Sequence, residues 1–261
     1  FDSTFQGCSS LTYTPIFPSN YTGTMKKCFY GCKSLTTAPV IPNGVNDMGG
    51  AFQGCTALTT VPNIPSACTN YNSTFYGCTS LVTVPSDGWK GNMGSTFNQC
   101  DKLNCQINIE SATNLHYTFY KCYALAYTPS LPSKATNLEM VSCFQNCSSL
   151  VTPPVIPEGV TNMNSTFNGC YKLTQAPTIP NSVTNMGYCF YDCTSLTTAP
   201  KIPSNCRVIN NIFHNCTSLK TATIPLTKMG VNPNTGDNYL PYYQNVFFNT
   251  PTPDITWEGE R

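Results

Sequence analysis

The side chains with the most chemistry to offer are sixteen cysteines, two histidines and twelve Asp and Glu residues. A cysteine thiolate can be a nucleophile with histidine as its base, and a pair of carboxylates can hydrolyse a glycosidic bond. His116 and His214 both lie in variable spacer positions of the sequence, with no partner of this kind nearby. The acidic residues occupy unlike positions, and no phosphate-loop, dinucleotide-binding or EF-hand motif is present. The sequence therefore predicts no enzyme and no cofactor.

Three pairs of cysteines have the spacing of metal ligands, with three residues between the two thiols. They are Cys28/Cys32, Cys143/Cys147 and Cys189/Cys193. A zinc site needs two such pairs, or a pair and two histidines, converging on one ion. The three pairs are far apart in the sequence and only two histidines could complete them, so we predict no metal site.

Ten cysteines instead belong to a repeat, in which each follows a phenylalanine by three residues. The pairs are Phe5/Cys8, Phe29/Cys32, Phe52/Cys55, Phe75/Cys78, Phe97/Cys100, Phe119/Cys122, Phe144/Cys147, Phe167/Cys170, Phe190/Cys193 and Phe213/Cys216. Successive phenylalanines are 22 to 25 residues apart. A repeat of this period predicts a solenoid, in which stacked coils bury like residues above one another.

Each coil should contain a turn segment and a strand segment. An apolar residue precedes each phenylalanine by four positions, and the offsets of four and seven predict a short helix or 3₁₀ turn. Asn70, Asn92, Asn114, Asn162 and Asn185 directly precede that apolar residue and suit helix N-caps. After the cysteine, a leucine and a threonine-rich run such as 35–38 predict a short strand, which ends at the first of two prolines.

The expected core contains the phenylalanines and cysteines of this ladder. Its clearest members are Phe29, Cys32, Phe52, Cys55, Phe75, Cys78, Phe144, Cys147, Phe167, Cys170, Phe190 and Cys193. A disulfide needs converging Cβ vectors, whereas ladder positions in adjacent coils point in parallel. We therefore expect buried free thiols in the ladder. The disulfide state of the other six cysteines stays open: Cys28, Cys68, Cys105, Cys143, Cys189 and Cys206.

The pattern resembles the BspA-like, or treponemal-type, leucine-rich repeat, whose units carry an Ala-Phe-x-x-Cys-x-x-Leu segment. Residues 50–58, GAFQGCTAL, match that segment nearly letter for letter. The resemblance implies a leucine-rich-repeat horseshoe or curved rod, with one short parallel β-strand per coil and helical or 3₁₀ turns opposite. It also implies a secreted, cell-surface or virion-borne protein that binds or adheres. The two prolines after the leucine depart from the common pattern and predict a shorter strand.

The resemblance covers residues 1–225, about ten coils, and we expect the chain to begin inside a unit. Two regions break the rhythm. Near residues 86–109, Asp87-Gly88-Trp89 replaces the second proline and Ile107–Ile109 alternates like an ordinary strand. We expect residues 226–261 to form a divergent last coil and C-terminal cap, with a turn at 234–237 and Thr250 in the cysteine position.

A ligand-binding surface is predicted from the residues that point outward. The residue two after each leucine should face solvent; this outward row is Tyr13, Thr37, Thr60, Thr83, Cys105, Tyr127, Thr152, Gln175, Thr198 and Thr221. Exposed aromatic residues bury much area at low entropic cost. The candidate ligand-binding residues are Tyr13, Trp89, Tyr120, Tyr123, Tyr127 and Gln175. Alternatively, the row is ordinary solvated β-surface and the aromatic residues only fill coils that lack prolines.

Composition limits the partners. Only 10% of residues are charged and the formal net charge is +1, which argues against nucleic acid and anionic membranes. No apolar stretch is long enough to span a bilayer, so no membrane insertion is expected. The sequence favours a surface-exposed or virion-borne adhesion module that recognises a host glycan or protein. The alternative is a structural spacer or fibre subunit assembled end to end, with Phe1 and the Trp257 region at the interface.

Overall fold

A computed structural model describes residues 1–225, 245–251 and 254–258. The chain forms two compact units, Phe1–Pro132 and Ser133–Arg261, each built from stacked coils. Within the described ranges there are eight strands and no helix. The strands are β1 (Thr22–Thr24), β2 (Gly44–Asp47), β3 (Lys90–Asn92), β4 (Ser111–Asn114), β5 (Lys134–Glu139), β6 (Glu158–Asn162), β7 (Thr221–Pro225) and β8 (Asp254–Glu258). They pair in parallel as β1–β2, β3–β4, β5–β6 and β7–β8.

The predicted helix or 3₁₀ segment is wrong: the residues from the apolar position to the cysteine form consecutive turns. In one coil the N–H of Cys28 donates to the Met25 carbonyl and that of Cys32 to the Phe29 carbonyl. The N–H of Phe29 instead donates to Ala51 of the next coil, at 2.7 Å. Because alternate N–H groups leave the coil, a helix cannot form, and the turns are joined like strands of a parallel sheet.

Left-handed residues make these turns possible. Each coil carries one residue with positive φ two positions before the phenylalanine and another two positions after it, as Lys27 and Gly31 do around Phe29. A positive φ at the third residue suits a tight turn and interrupts a right-handed helix. The offsets of four and seven that suggested a helix therefore arise from two turns in series, which place the same side chains inside.

The core is a ladder of phenylalanine rings in each unit. Successive rings stack with their centroids 5.2 to 5.9 Å apart. The structure buries all twelve residues of the expected core ladder, together with the apolar residue four positions before each phenylalanine from Met25 to Ile209. No single coil could cover its own ring, so the stacking of neighbours creates the core.

All sixteen cysteines are free thiols, and only Cys8 is exposed. From Cys32 to Cys122 and from Cys170 to Cys216, the ladder thiol donates to the carbonyl of the phenylalanine one coil earlier; Cys55 to Phe29 and Cys193 to Phe167 are both 3.1 Å. Thr250 occupies the cysteine position, as predicted, and its hydroxyl donates to the corresponding carbonyl of Phe213. The thiols therefore tie adjacent coils together within each unit.

Most strands do not lie where the sequence placed them, after the leucine; β7 does. Six of the eight directly precede the apolar position of the turns, whereas the run after the leucine is mostly reduced to isolated bridges such as Thr37↔Thr60. Proline has no N–H to donate, so the pairs of prolines shorten this second row. In the last regular coil Thr223 replaces the first proline, and there β7 forms. The strand expected at Ile107–Ile109 is a single bridge at Asn108.

The asparagines predicted as helix caps cap turns instead. The side-chain oxygens of Asn92, Asn114, Asn162 and Asn185 each accept the N–H two residues further on, at 2.9 to 3.0 Å. Asn70 makes the same contact at 3.2 Å. This is the Asx-turn geometry, which needs no helix.

Candidate ligand-binding surface

The outward row lies at the surface in both units. Leu35 is buried while Thr37, two residues later, is exposed, and the same contrast holds for Leu58 and Thr60. Cys105 is the half-buried exception. The row is uncharged, because threonine, tyrosine and glutamine side chains make up most of it. It therefore offers hydroxyl groups and methyl groups to a partner and no fixed charge.

Trp89, predicted as part of an exposed aromatic patch, is a core residue. It is only 2% exposed, and its ring packs against Tyr71 and Phe97 with centroid distances of 5.0 and 5.1 Å. Its Nε1–H donates to the Pro85 carbonyl at 2.8 Å. The indole fills the space that opens where the second proline is missing. It is not available to an external ligand, and this part of the prediction is corrected.

The tyrosines of the candidate patch differ in exposure. Tyr13 is 85% exposed, Tyr127 is 53% exposed, and Tyr120 is half-buried. Tyr120 packs edge-on against Tyr117, 5.7 Å away, and Lys121 Nζ lies 5.3 Å from its ring centroid. These residues share one coil with Tyr123 and Tyr127, whereas Tyr13 is in an earlier coil of the same unit. Gln175 is exposed in the second unit, so the structure does not unite all six candidates.

The sequence prediction missed a groove beside the outward row of the second unit. It has a volume of about 1080 Å³ and is lined by the Pro-x-Ile-Pro segments of three successive coils, at 153–158, 176–181 and 200–204. Val155, between two prolines, is 87% exposed at its edge. A smaller groove of about 540 Å³ occupies the equivalent place in the first unit, at 14–19 and 40–43. The feature that could have predicted the groove is the residue between the two prolines, which recurs in successive coils. From the sequence alone, these segments are interpreted only as the ends of strands.

The charge of the larger groove is balanced. Glu158 and Lys201 are the charged residues in its lining, and the others are prolines, aliphatic residues and small polar residues. Such a lining suits an uncharged, partly apolar ligand. Neither residue faces a cluster of metal ligands, since no group of three His, Cys, Asp or Glu side chains in the described ranges could hold an ion.

The two histidines have structural surroundings. His214 is half-buried and stacks between Tyr191 and Phe248, at centroid distances of 4.3 and 4.9 Å. The backbone N–H of His116 donates to Oδ1 of Asn114, at 2.9 Å. Buried thiols such as these are poor nucleophiles, because burial raises the pKa of Cys55 to about 12 and that of Cys206 to about 11.

The residues expected at an end-to-end interface are only partly described. Phe1 is 39% exposed and packs against Phe17 and Tyr21, at centroid distances of 4.9 and 4.5 Å. The backbone of Trp257 pairs with Ile224 in the β7–β8 sheet, and its side chain lies outside the described part. The turn expected at 234–237 also lies outside the described residues.

The repeat, the buried phenylalanine and thiol ladder and the parallel pairing of coils identify the family. The BspA type Leucine rich repeat region matches the sequence in six copies, over residues 2–104, 93–196 and 115–234. The chain belongs to the BspA-type leucine-rich repeat family. No curated protein matches this BspA-type chain significantly.

Solved structures of leucine-rich repeat proteins resemble the chain. A leucine-rich repeat protein from Bacteroides ovatus is 19% identical with a TM-score of 0.59, covering 98% of this chain and 74% of its own. A leucine rich cell surface protein from Faecalibacterium prausnitzii is 18% identical, with a TM-score of 0.45 and coverage of 95% and 88%. A T. pallidum leucine rich repeat protein is 22% identical, with a TM-score of 0.37 and coverage of 80% and 78%. The first likeness supports the leucine-rich repeat fold.

Among the residues with described positions, no helix has the length and apolar character needed to cross a bilayer.

Proposed function

We propose that this BspA-type repeat protein is a non-catalytic binding module outside the cell, at a cell or virion surface. Its contact surface is the outward row together with the proline-lined groove, and its partner is a protein or glycan of the host. The observation that carries this proposal is the groove of about 1080 Å³ beside an uncharged exposed row. Repeat proteins commonly bind partners along extended surfaces of this kind.

The chemistry of the surface favours a protein partner over a glycan. Proline and isoleucine line the groove, and exposed Val155 adds an aliphatic edge, so burial of apolar side chains can supply affinity. The exposed tyrosines in the other unit could stack on sugar rings, which keeps a glycan as the second candidate.

An extracellular location fits the state of the cysteines. Fifteen of the sixteen thiols are buried or half-buried, and burial raises the pKa of those such as Cys28 and Cys216 to about 12. Since the thiolate is the form that oxidises, these thiols resist disulfide formation in an oxidising environment. Labelling of intact cells with a membrane-impermeant amine reagent tests the location, and labelling only after lysis would contradict it.

Binding is tested with the full chain on arrays of host proteins and glycans. We expect saturable binding that is reduced at least about tenfold by Val155→Asp, because a charge would be desolvated in the contact. The matched control is Tyr188→Ala, which changes an exposed residue on the turn side of the same unit; this variant should bind with unchanged affinity. Absence of saturable binding, combined with end-to-end assembly in light scattering, would favour the structural spacer or fibre subunit instead.

A further inference from the structure

One contact in the first unit shows what the proline segments can bind. The side chain of Asn63 reaches back to the preceding coil and makes two hydrogen bonds with the backbone of Ile41. Its Nδ2 donates to the Ile41 carbonyl at 2.8 Å, and its Oδ1 accepts the Ile41 N–H at 2.9 Å. Ile41 lies between Pro39 and Pro42, where the coils no longer pair as a sheet. A carboxamide therefore takes the place of the missing strand.

The second unit repeats this backbone without the asparagine. Ile156 and Ile179 occupy the position of Ile41, since each directly precedes the second proline of its coil. The position of Asn63 is taken by Thr178 opposite Ile156 and by Lys201 opposite Ile179. Among the described residues, no hydrogen-bond partner is found for the N–H or C=O of either isoleucine. Both residues line the groove of about 1080 Å³.

The coils are also less tightly joined at this place. Thr37, Thr60 and Thr83 bridge one another in the first unit, and the adjacent backbone hydrogen bonds, Thr59 to Thr36 and Val82 to Thr59, are 2.9 and 3.1 Å long. The equivalent bonds in the second unit, Thr174 to Val151 and Thr197 to Thr174, are 3.4 and 3.3 Å long. Pro153 stands where other coils have a residue with an N–H, such as Ala38 or Ala176, so this coil has one donor fewer. The groove thus lies where the N–H and C=O of Ile156 and of Ile179, two residues with buried side chains, have no described partner.

We propose that the backbone of Ile156 and of Ile179 binds primary carboxamides, supplied by asparagine or glutamine side chains of a polypeptide partner. This rests on the proposed function and narrows its ligand. A primary carboxamide carries a donor and an acceptor side by side, which matches the N–H and C=O that Asn63 pairs with on Ile41. A carboxylate has no donor, and a trans N-acetyl group of a sugar points its N–H and C=O in opposite directions.

The groove supplies the rest of the contact. The prolines and Val155 can pack against the methylene groups of a glutamine side chain, while the balance of Glu158 and Lys201 leaves no net attraction for a charged head group. A polypeptide that presents two carboxamides can occupy adjacent coils at once, which multiplies a weak single contact. This favours a glutamine- or asparagine-rich segment over a free amide.

The test uses amide chemical shifts of the full ¹⁵N-labelled chain. The probe is a short peptide with two glutamines and a C-terminal N-methylamide, which removes the primary amide that common amidated peptides carry. We expect shifts at the amides of Ile156 and Ile179 that saturate. The same peptide with glutamate for glutamine should give none, and equal shifts with both would overturn the proposal. Propionamide, a free primary amide, distinguishes a polypeptide partner from a small amide. If propionamide saturates the same shifts at a concentration no higher than the peptide needs, the site binds small amides and the polypeptide partner is contradicted.

Two variants give a matched control. Thr178→Asn places a tethered carboxamide opposite Ile156, as Asn63 is opposite Ile41, and should remove the peptide response at Ile156 while Ile179 keeps it. It should also slow exchange of the Ile156 amide about fivefold, the ratio expected for one added hydrogen bond. In Thr178→Asp the new side chain has the size of asparagine but lacks the amide donor, so it should reduce the peptide response at Ile156 less than Thr178→Asn does. Equal peptide responses in both variants would contradict the carboxamide assignment.

Failure of the carboxamide proposal can be distinguished from failure of the proposed function. If the chain binds an array partner saturably and Val155→Asp reduces that binding, but Thr178→Asn changes nothing, the module stands and the carboxamide assignment falls. If no array partner binds, the proposed function falls, whereas the exchange of Ile156 in Thr178→Asn still reports on the backbone pairing.

Discussion

The turn side and the proline side of each coil differ in how completely their backbone is paired. The turn side, from the apolar residue to the cysteine, sends alternate N–H groups to the next coil; Phe144 donates to Thr166 and Phe167 to Cys189, both at 2.9 Å. On the proline side of the same coils, Ile156 and Ile179 have no described partner. The same repeat therefore holds the coils together with one half and leaves hydrogen-bonding groups free on the other.

Proline explains the difference. A residue without an N–H cannot continue a ladder, and two of them in four residues leave too few donors to join adjacent coils. Where the first proline is absent, at Thr223, β7 forms on this same side. Where prolines occur thus sets which half of a coil is fully paired, and a substitution on each side should have unequal effects on stability.

The largest effect is expected at the phenylalanine ladder. Phe167→Ala should lower the free energy of unfolding by about 3–5 kcal/mol, because the ring stacks between Phe144 and Phe190 and leaves a cavity. Gln175→Ala on the exposed row of the same coil should change it by less than about 0.5 kcal/mol. Urea unfolding of the two variants checks this contrast. Similar losses for both would contradict the assigned facing of the coil.

The thiols should show a contrast in reactivity. Burial raises the pKa of Cys55 from 9.0 to about 12, so its thiolate at pH 8 should be roughly a thousandfold rarer than at an unperturbed cysteine. Cys8 is exposed and should be alkylated first. Mass spectrometry after brief treatment with iodoacetamide measures both. Rapid labelling of Cys55 in the folded chain would show that the turn side opens.

The thiol hydrogen bond can be separated from thiol burial. Cys193→Ala removes the donor to the Phe167 carbonyl and should cost about 1–3 kcal/mol of unfolding free energy. Cys193→Ser keeps a donor, as Thr250 does at the equivalent position, and should cost less. Chemical denaturation of the two variants gives the difference. If serine costs as much as alanine, the thiol acts only as a buried apolar group.

The smallest effect concerns pH. Partial burial alone would raise the pKa of Asp47, but hydrogen bonds from the Gly49 N–H and Asn70, with Lys26 Nζ 3.2 Å away, lower it below its ordinary value. Because the folded pKa is depressed, the stabilisation is present above about pH 4 and is lost as pH falls through the folded value. Asp47→Asn should cost less than about 1 kcal/mol at pH 7 and flatten the stability profile in acid. An unchanged acid profile would contradict this.

The sequence predicted the inside of each coil better than its backbone. Burial of Phe29, Cys32 and Leu35 follows from their spacing, which any inward-facing coil must satisfy. The same spacing does not distinguish a helix from two turns, because left-handed residues such as Ser73 and Gln99 reveal themselves only in φ. The same spacing predicts the candidate surface only in part.

The outward row could be read from its offset to the buried leucine, and it lies at the surface as expected. The burial of Trp89 could not be predicted, because a large aromatic residue beside a missing proline is equally consistent with an exposed patch and with a side chain that fills the core. The groove depends on which backbone groups remain unpaired between coils, as at Ile156, and side-chain spacing carries no information about that.

Amide hydrogen exchange of the full chain tests most directly whether the turn side carries the stability and the proline side the binding surface. The amides of Phe144 and Phe167, which donate to the next coil, should exchange only on global unfolding. Those of Ile156 and Ile179 should exchange through local opening, orders of magnitude faster. Equal protection of the two groups, or stronger protection of the isoleucines, would contradict the account.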